Sequence, residues 1–357
     1  MAERAGGHVF VIAEAGVNHD GDAERALTMV DAASDAGADA VKFQTFRAEN
    51  LVTAAAPKAP YQTRGAGDTQ LEMLRALELG TDAHRLLAER CKERGIVFLS
   101  SPFDMECLAF LIDEMKVETI KIGSGEITNG PLLLAAAHSG RDIILSTGMS
   151  TLDEVKDALA ILAFGYGGGN MPPTSADFEI SGMRKILKNK VTLLHCTSQY
   201  PTPIEDTNLR AMATLRDAFG LRVGFSDHTQ GVTAAIAATA LGAAVIEKHF
   251  TLDRNSQGPD HKASLEPNEL ASMVKRIRDV GAALGDGEKA PTLGERENMA
   301  VARKSLVALR AVPAGETFTA ENLGVKRPGG GQSPMNYWDW LGRVAERDYA
   351  ADEMIGP

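Results

Sequence analysis

Cysteine is scarce in this chain. Cys91, Cys107 and Cys196 are odd in number, far apart and without a C-x-x-C pair, which argues against both a disulfide framework and a thiolate zinc site. They read as reduced, mostly buried thiols. Long hydrophobic runs are missing as well: no stretch approaches the roughly 18 apolar residues of a membrane span, and the start Met1-Ala-Glu-Arg-Ala-Gly-Gly-His8 puts no apolar core behind a basic end. A cytoplasmic protein without a membrane partner is expected. There is no basic block either. The net charge is −11 with Lys and Arg scattered, so the footprint of a nucleic-acid binder is absent and any anionic ligand must be held locally. No low-complexity tract dominates, and 44% hydrophobic with 24% charged residues is ordinary globular usage.

What is present is alternation. Short β-branched or apolar runs near 9–13, 40–43, 97–99, 119–122, 143–145, 191–194, 222–225 and 244–247 are separated by Ala/Leu-rich stretches at helical spacing, with a last helix near 267–284. Strands that each precede a helix imply β/α units and a parallel sheet, and eight of them suggest a closed TIM barrel over 1–284. Gly37 and Gly242 follow helices as left-handed C-caps. The glycine-rich segment at 164–173 follows a helix and not a strand, so it reads as an insertion and not as a phosphate loop. A polar linker over 285–300 leads to a second, small unit over 301–357, with Thr319 as a helix N-cap candidate before Ala-Glu-Asn-Leu323.

A catalytic barrel carries its functional groups at the carboxyl ends of its strands. Here nearly every strand does: Glu14, Lys42 with Gln44, Ser101, Lys121 with Ser124 and Glu126, Ser146, Ser198 with Tyr200, Ser226-Asp-His228 and Glu247-Lys-His249. Because side chains alternate along a strand, Lys42 shares a face with Gln44, and Glu247 with His249. Lys42 and Lys121, among the hydroxyls of Ser101, Ser124 and Ser146, supply cations and donors for a ligand bearing carboxylate and phosphate, the outline of phosphoenolpyruvate. The competing reading is that each lysine snorkels to solvent.

His228 and His249 come from adjacent strands and suit one divalent ion, manganese or magnesium better than a closed zinc site. His195 and His8 have no such partner and read as structural. Glu14 and Glu126 flank the lysines, where they orient sugar hydroxyls, activate water or serve only as salt-bridge partners.

Taken together, the motifs resemble the sialic acid synthases, the N-acetylneuraminate synthase family that includes legionaminic and pseudaminic acid synthases. The likeness rests on Ile12-Ala-Glu-Ala-Gly-Val-Asn-His19, Val41-Lys-Phe-Gln-Thr45, Ser101-Pro-Phe-Asp104, Lys121-Ile-Gly-Ser-Gly-Glu126 and Leu145-Ser-Thr-Gly-Met149. It continues through His195-Cys-Thr-Ser-Gln-Tyr-Pro-Thr-Pro203, Gly224-Phe-Ser-Asp-His228, Glu247-Lys-His-Phe-Thr251 and Gly258-Pro-Asp-His261. The second unit resembles the family's antifreeze-like (SAF) domain, with Val325-Lys-Arg-Pro-Gly329 as the stretch that reaches a neighbour's barrel.

The resemblance implies condensation of phosphoenolpyruvate with an N-acylated amino sugar by a domain-swapped homodimer. In it, Arg327 touches the N-acyl group in the partner subunit, Tyr200, Gln44 and Asp260 hold sugar hydroxyls, Ser198 stands among the phosphate contacts, and His228 and His249 hold the metal. Ser198 is a departure, since some members have asparagine there. N-acetylmannosamine and its 2,4-diacetamido-6-deoxy relatives remain open, with the loop near Tyr61-Gln62 expected to discriminate. Three rivals stand beside this reading: a Schiff-base aldolase using Lys42 or Lys121, a related enzyme that condenses phosphoenolpyruvate with a sugar phosphate, against which the appended C-terminal unit argues, and a non-catalytic sugar-binding protein.

Overall fold

The computed structural model describes residues 8–58, 62, 67–169 and 180–356, apart from the side chains of 180, 181 and 183. It divides into two units, Met1–Gly285 and Asp286–Pro357. Tyr61, and 170–173 of the glycine-rich segment, lie outside the described residues.

All eight expected strands form in the first unit: β1 Phe10–Gly16, β2 Ala40–Thr45, β3 Val97–Pro102, β4 Thr119–Ile122, β5 Asp142–Ser146, β6 Val191–His195, β7 Arg222–Asp227 and β8 Val245–His249. They are parallel, in the hydrogen-bonded order β3-β2-β1-β8-β7-β6-β5-β4. β3 and β4, the two ends of that order, pack side by side. The sheet is therefore closed, a TIM barrel with its helices outside.

Alternation along the strands builds the interior in layers. Ile12, Ala40, Leu99, Ile144, Leu194 and Val245 form one buried apolar cluster. Two residues further toward the carboxyl end of the same chain segments stand Glu14, Lys42, Ser101, Ser146, Cys196 and Glu247, all buried. An apolar plug thus supports a polar floor. Gly224 lies level with the plug: a Cβ there would stand 2.3 Å from the Val245 carbonyl oxygen, so only hydrogen fits. The outward faces, including Val41, Phe43, Ile120, Leu193, Phe225 and Ile246, join the larger core under the helices.

The helix Ala23–Asp35 shows how the outer layer is specified. Asp22 caps it by accepting from the amides of Glu24 and Arg25, and Ala26, Met29, Val30 and Ala33 form its buried stripe. Each larger side chain so buried contributes roughly 1.5–3 kcal/mol. Gly37 and Gly242 follow their helices at φ of +78° and +87°, as their position after a helix predicts. His8 and His195 are structural, one bound to Asp39 at 2.8 Å and the other to the Thr207 carbonyl at 2.8 Å. Cys91, Cys107 and Cys196 are free and buried.

The second unit holds an antiparallel pair, β9 Ser305–Ala308 and β10 Leu323–Lys326. Its core gathers Leu306, Val312, Phe318, Leu323, Tyr349 and Ile355, with the Phe318 ring edge-on to Trp340 and Tyr349. Two expectations are corrected here. The linker contains a helix, Leu293–Ala302, opened by a Thr292/Glu295 capping box; it buries none of its residues, so no apolar stripe marks it. Thr319 does not begin a helix. Its carbonyl closes a single turn onto Asn322 and Leu323, which then enters β10. No helix of the described residues is long and apolar enough to cross a membrane.

Candidate active site

The strand register brings the expected groups together. In the ladders Glu14 stands beside Lys42 on one side and His249 on the other, Gln44 beside Ser101, and Ser226 beside Glu247. Lys42 Nζ lies 2.5 Å from Glu14 Oε2 and 3.8 Å from Glu247 Oε2, while Lys121 Nζ lies 3.5 Å from Glu247 Oε1. All four side chains are 5% exposed or less. Neither lysine snorkels to solvent. Two ammonium groups and two carboxylates alternate across the barrel mouth, with Ser101 Oγ accepting from Lys42 at 3.4 Å and Ser226 Oγ donating to Glu247 at 2.8 Å.

This arrangement sorts the two carboxyls. Burial pushes Glu247 upward, but Lys121, Lys42 and the Ser226 hydroxyl outweigh it and hold Glu247 well below the usual carboxylate range. Glu14 moves the other way, because its burial exceeds the pull of the one ammonium that it shares with Glu247. Lys42 is likewise buried, yet Glu14 and Glu247 together raise it. For Lys121, burial wins and lowers it despite Glu247. Glu247 is thus the anion that both lysines share; its strand-end position was visible in the sequence, but this pairing was not.

Next to Lys121 the donors crowd. Gly148 N–H donates to Ser124 Oγ at 3.0 Å, and Ser124 Oγ lies 3.2 Å from Cys196 Sγ. A Cβ on Gly148 would stand 2.4 Å from Ser198 Oγ and 2.8 Å from Ser124 Oγ, so these hydroxyls close around a glycine and would have to turn aside for any side chain there. Ser146 is buried on β5. Glu126 follows Ser124 in the same turn. It sits in the turn Ser124–Glu126 beyond β4, accepts from Asn129 Nδ2 at 2.7 Å, and among the described residues no ion pair joins it to either lysine. Its place is set by the turn that follows β4, because past the strand end alternation no longer governs where a side chain goes.

On the other side, the His228 and His249 ring centroids are 5.4 Å apart, and Tyr200 lies 4.2 Å from the first and 5.6 Å from the second. His228 Nδ1–H donates to the Thr197 carbonyl at 2.7 Å, which leaves Nε2 as a lone-pair donor. Burial lowers His228 to about 4, and burial with the adjacent His228 lowers His249 well below its usual value, so both imidazoles are neutral near pH 7. His249 Nδ1 is buried without a hydrogen-bond partner among the described residues and faces Asp260 Oδ2 at 3.8 Å. Burial raises Asp260 to about 6. Gln44 Nε2 donates to Glu14 Oε1 at 3.4 Å. Two neutral imidazoles, His249 with an unbonded Nδ1 and His228 with Nε2 only 3.5 Å from Ser226 Oγ, suit a divalent ion, but among the described residues no three His, Cys, Asp or Glu side chains converge to cage one. Arg327 belongs to the second unit, exposed just after β10.

Comparisons with known proteins agree with this geometry. The NeuB family model matches residues 29–289, and the SAF domain model matches 303–357. An N,N'-diacetyllegionaminic acid synthase of Campylobacter jejuni is 46% identical over 97% of this chain and 98% of its own length. Another of that name from Legionella pneumophila is 45% identical over 93% of this chain and 89% of its own. The crystal structure of an N-acetylneuraminic acid (sialic acid) synthetase from Leptospira borgpetersenii superposes with a TM-score of 0.68 at 36% identity, covering 82% of this chain and 90% of that one. With a barrel and a small β unit matched in turn and this identity sustained across almost its whole length, the chain belongs to the NeuB family of sialic acid synthases.

Proposed function

We propose that the barrel mouth condenses phosphoenolpyruvate with an N-acyl amino sugar and releases phosphate, giving a nonulosonic acid. One observation carries this reading: Lys42 and Lys121, each paired with Glu247 in a sealed floor, stand between a flank of Ser124, Ser198 and the Gly148 amide and a flank of two neutral histidines. A phosphate and carboxylate are received by the first flank, with Ser101 and Ser146 completing it. Gln44, Tyr200 and Asp260 hold the sugar hydroxyls. Arg327 of the partner subunit meets the N-acyl group in a domain-swapped homodimer. A cytoplasmic location goes with free, buried thiols.

In the reaction, the methylene carbon of phosphoenolpyruvate bonds to the open-chain sugar's aldehyde carbon. Water adds at the enol-ether carbon, the bond to phosphate breaks, and a 2-keto acid remains. Lys42 and Lys121 stabilise the charge that develops on the departing phosphate and the carboxylate. Glu14, raised by burial, transfers a proton at the sugar oxygen or at the water. His228 and His249 would hold a manganese or magnesium ion, which would supply Lewis acidity at the aldehyde. The relatives named for N,N'-diacetyllegionaminic acid, at 46% and 45% identity, favour a 2,4-diacetamido-6-deoxy sugar over N-acetylmannosamine. Calorimetry tests the anion flank: phosphoenolpyruvate binds wild type, and Lys121→Met weakens it at least about 100-fold, as loss of a buried charge partner would. Equal affinity in the variant would remove the basis of the reading.

A further inference from the structure

The loops after β1 and β8 are joined by buried side-chain bonds that the reaction itself does not use. His261 is 1% exposed and is bonded through both ring nitrogens, Nδ1 to Thr251 Oγ1 at 2.7 Å and Nε2 to Asp20 Oδ1 at 3.0 Å. A carboxylate only accepts, so Nε2 carries the proton that bridges the two loops. The other Asp20 oxygen takes Arg25 Nη1 at 2.7 Å, and Arg25 Nη2 reaches Ser256 at 2.8 Å, back in the β8 loop. Asn18 Nδ2 donates both to the Phe250 carbonyl at 2.8 Å and to Ser264 Oγ at 2.9 Å. Ser264 Oγ in turn donates to the Asp260 carbonyl at 2.7 Å.

The backbone is shaped to permit this. Asp20 holds a left-handed φ of 54°, a conformation that aspartate tolerates better than most residues. A Cβ on Gly258 would lie 2.7 Å from His261 Cδ2 and 3.2 Å from Asp20 Oδ1, so glycine alone lets the two approach. Asp260 is the residue immediately before His261. Its backbone is gripped by Ser264 while its carboxylate faces His249 Nδ1 at 3.8 Å.

We infer that His261 is a positioning residue for Asp260: by bridging Asp20 and Thr251 it holds the β8 loop so that the Asp260 carboxylate faces the sugar side of the mouth. This rests on the reading of Asp260 as a sugar contact. His261 has no bond to the lysines among the described residues, and Lys42 feels it only through the Asp260 charge, so its removal acts chiefly on the sugar half of the site.

The test uses the full-length His261→Phe variant, which keeps a ring and loses both bonds, with Asp20→Asn as a milder second variant that needs no core rearrangement. Phosphate release is measured against each substrate separately. The inference expects KM for the amino sugar to rise at least about tenfold in His261→Phe, with KM for phosphoenolpyruvate changed less than about twofold. Asp20→Asn should move in the same direction by a smaller factor. In an Asp260→Asn background, His261→Phe should add nothing. Additive losses, equal changes in both KM values, or an unchanged sugar KM would each overturn it. A crystal structure of either variant gives a readout without turnover: the Asp260–His249 separation should lengthen by about 1 Å or more on loss of the brace, and an unchanged separation contradicts the inference. Wild type that releases no phosphate with any sugar defeats the proposed function, while the crystallographic comparison still decides the positioning role.

Discussion

Glu247 Oε1 lies 3.5 Å from Lys121 Nζ on the opposite side of the barrel floor, and both side chains are cut off from solvent. The pair is the electrostatic hinge of the site, because Glu247 also approaches Lys42 and no other carboxylate forms an ion pair with Lys121 among the described residues. Glu247→Gln keeps the shape and removes the charge. An unpaired buried ammonium then has to be tolerated or neutralised, so the variant should lose about 3–5 kcal/mol of stability. Denaturant unfolding of the two proteins measures this, and a loss under about 1 kcal/mol would show that water screens the floor.

Gly148 marks the anion flank by what it cannot hold. Gly148→Ala would drive a methyl to within 2.4 Å of Ser198 Oγ and 2.8 Å of Ser124 Oγ, so both hydroxyls must move. We expect KM for phosphoenolpyruvate to rise about tenfold or more while sugar KM holds, since only the phosphate donors are displaced. Steady-state kinetics with each substrate varied in turn distinguishes this from a general loss.

Much of this site was legible because chemistry sits where strands end, and strand ends are easy to find. Lys42 and Lys121 lie inside short apolar runs and His228 and His249 just beyond theirs, so counting units along the chain places them on one rim. Strand lengths were less legible: β1 runs on through Glu14 to Gly16 and β3 through Ser101 to Pro102, because residues facing a polar floor do not look like strand. The function of Glu247 was hidden for another reason. It depends on distances to Lys42 and Lys121, which come from strands more than a hundred residues away in sequence, and no local pattern records them. Glu126 is less legible in reverse: it is close in sequence to Lys121, but the turn that follows the strand, and not strand alternation, sets its place. Thr319 carried a cap signal that pairing of β9 with β10 overrode.

His19 provides a pH signature in the fold. Burial lowers it to about 4 from 6.5; its Nδ1 accepts the Gly21 amide at 3.0 Å, and Nε2 has no partner among the described residues. Its folded pKa lies below its unfolded one, so the unfolded chain takes up the proton first. The neutral ring costs nothing above pH 6.5, and stability is lost as pH falls from 6.5 toward 4. Between pH 7.5 and 5 wild type should lose about 2 kcal/mol more than His19→Gln, which cannot titrate. Parallel stability curves for the two proteins would contradict this.

The two imidazoles predict metal affinity directly. Manganese binding followed by calorimetry should weaken at least about 100-fold in His228→Ala and in His249→Ala, because each would remove one of the two imidazoles proposed to hold the ion. Borohydride with both substrates present should trap no lysine adduct, whereas a trapped adduct at Lys121 would favour an imine route.

The most direct measurement is phosphate release from phosphoenolpyruvate with N-acetylmannosamine and with 2,4-diacetamido-6-deoxy sugars, each with manganese and with chelator. The account predicts release that requires both sugar and metal and is fastest with a diacetamido sugar. Release that ignores the sugar, or that continues unchanged under chelator, would contradict it.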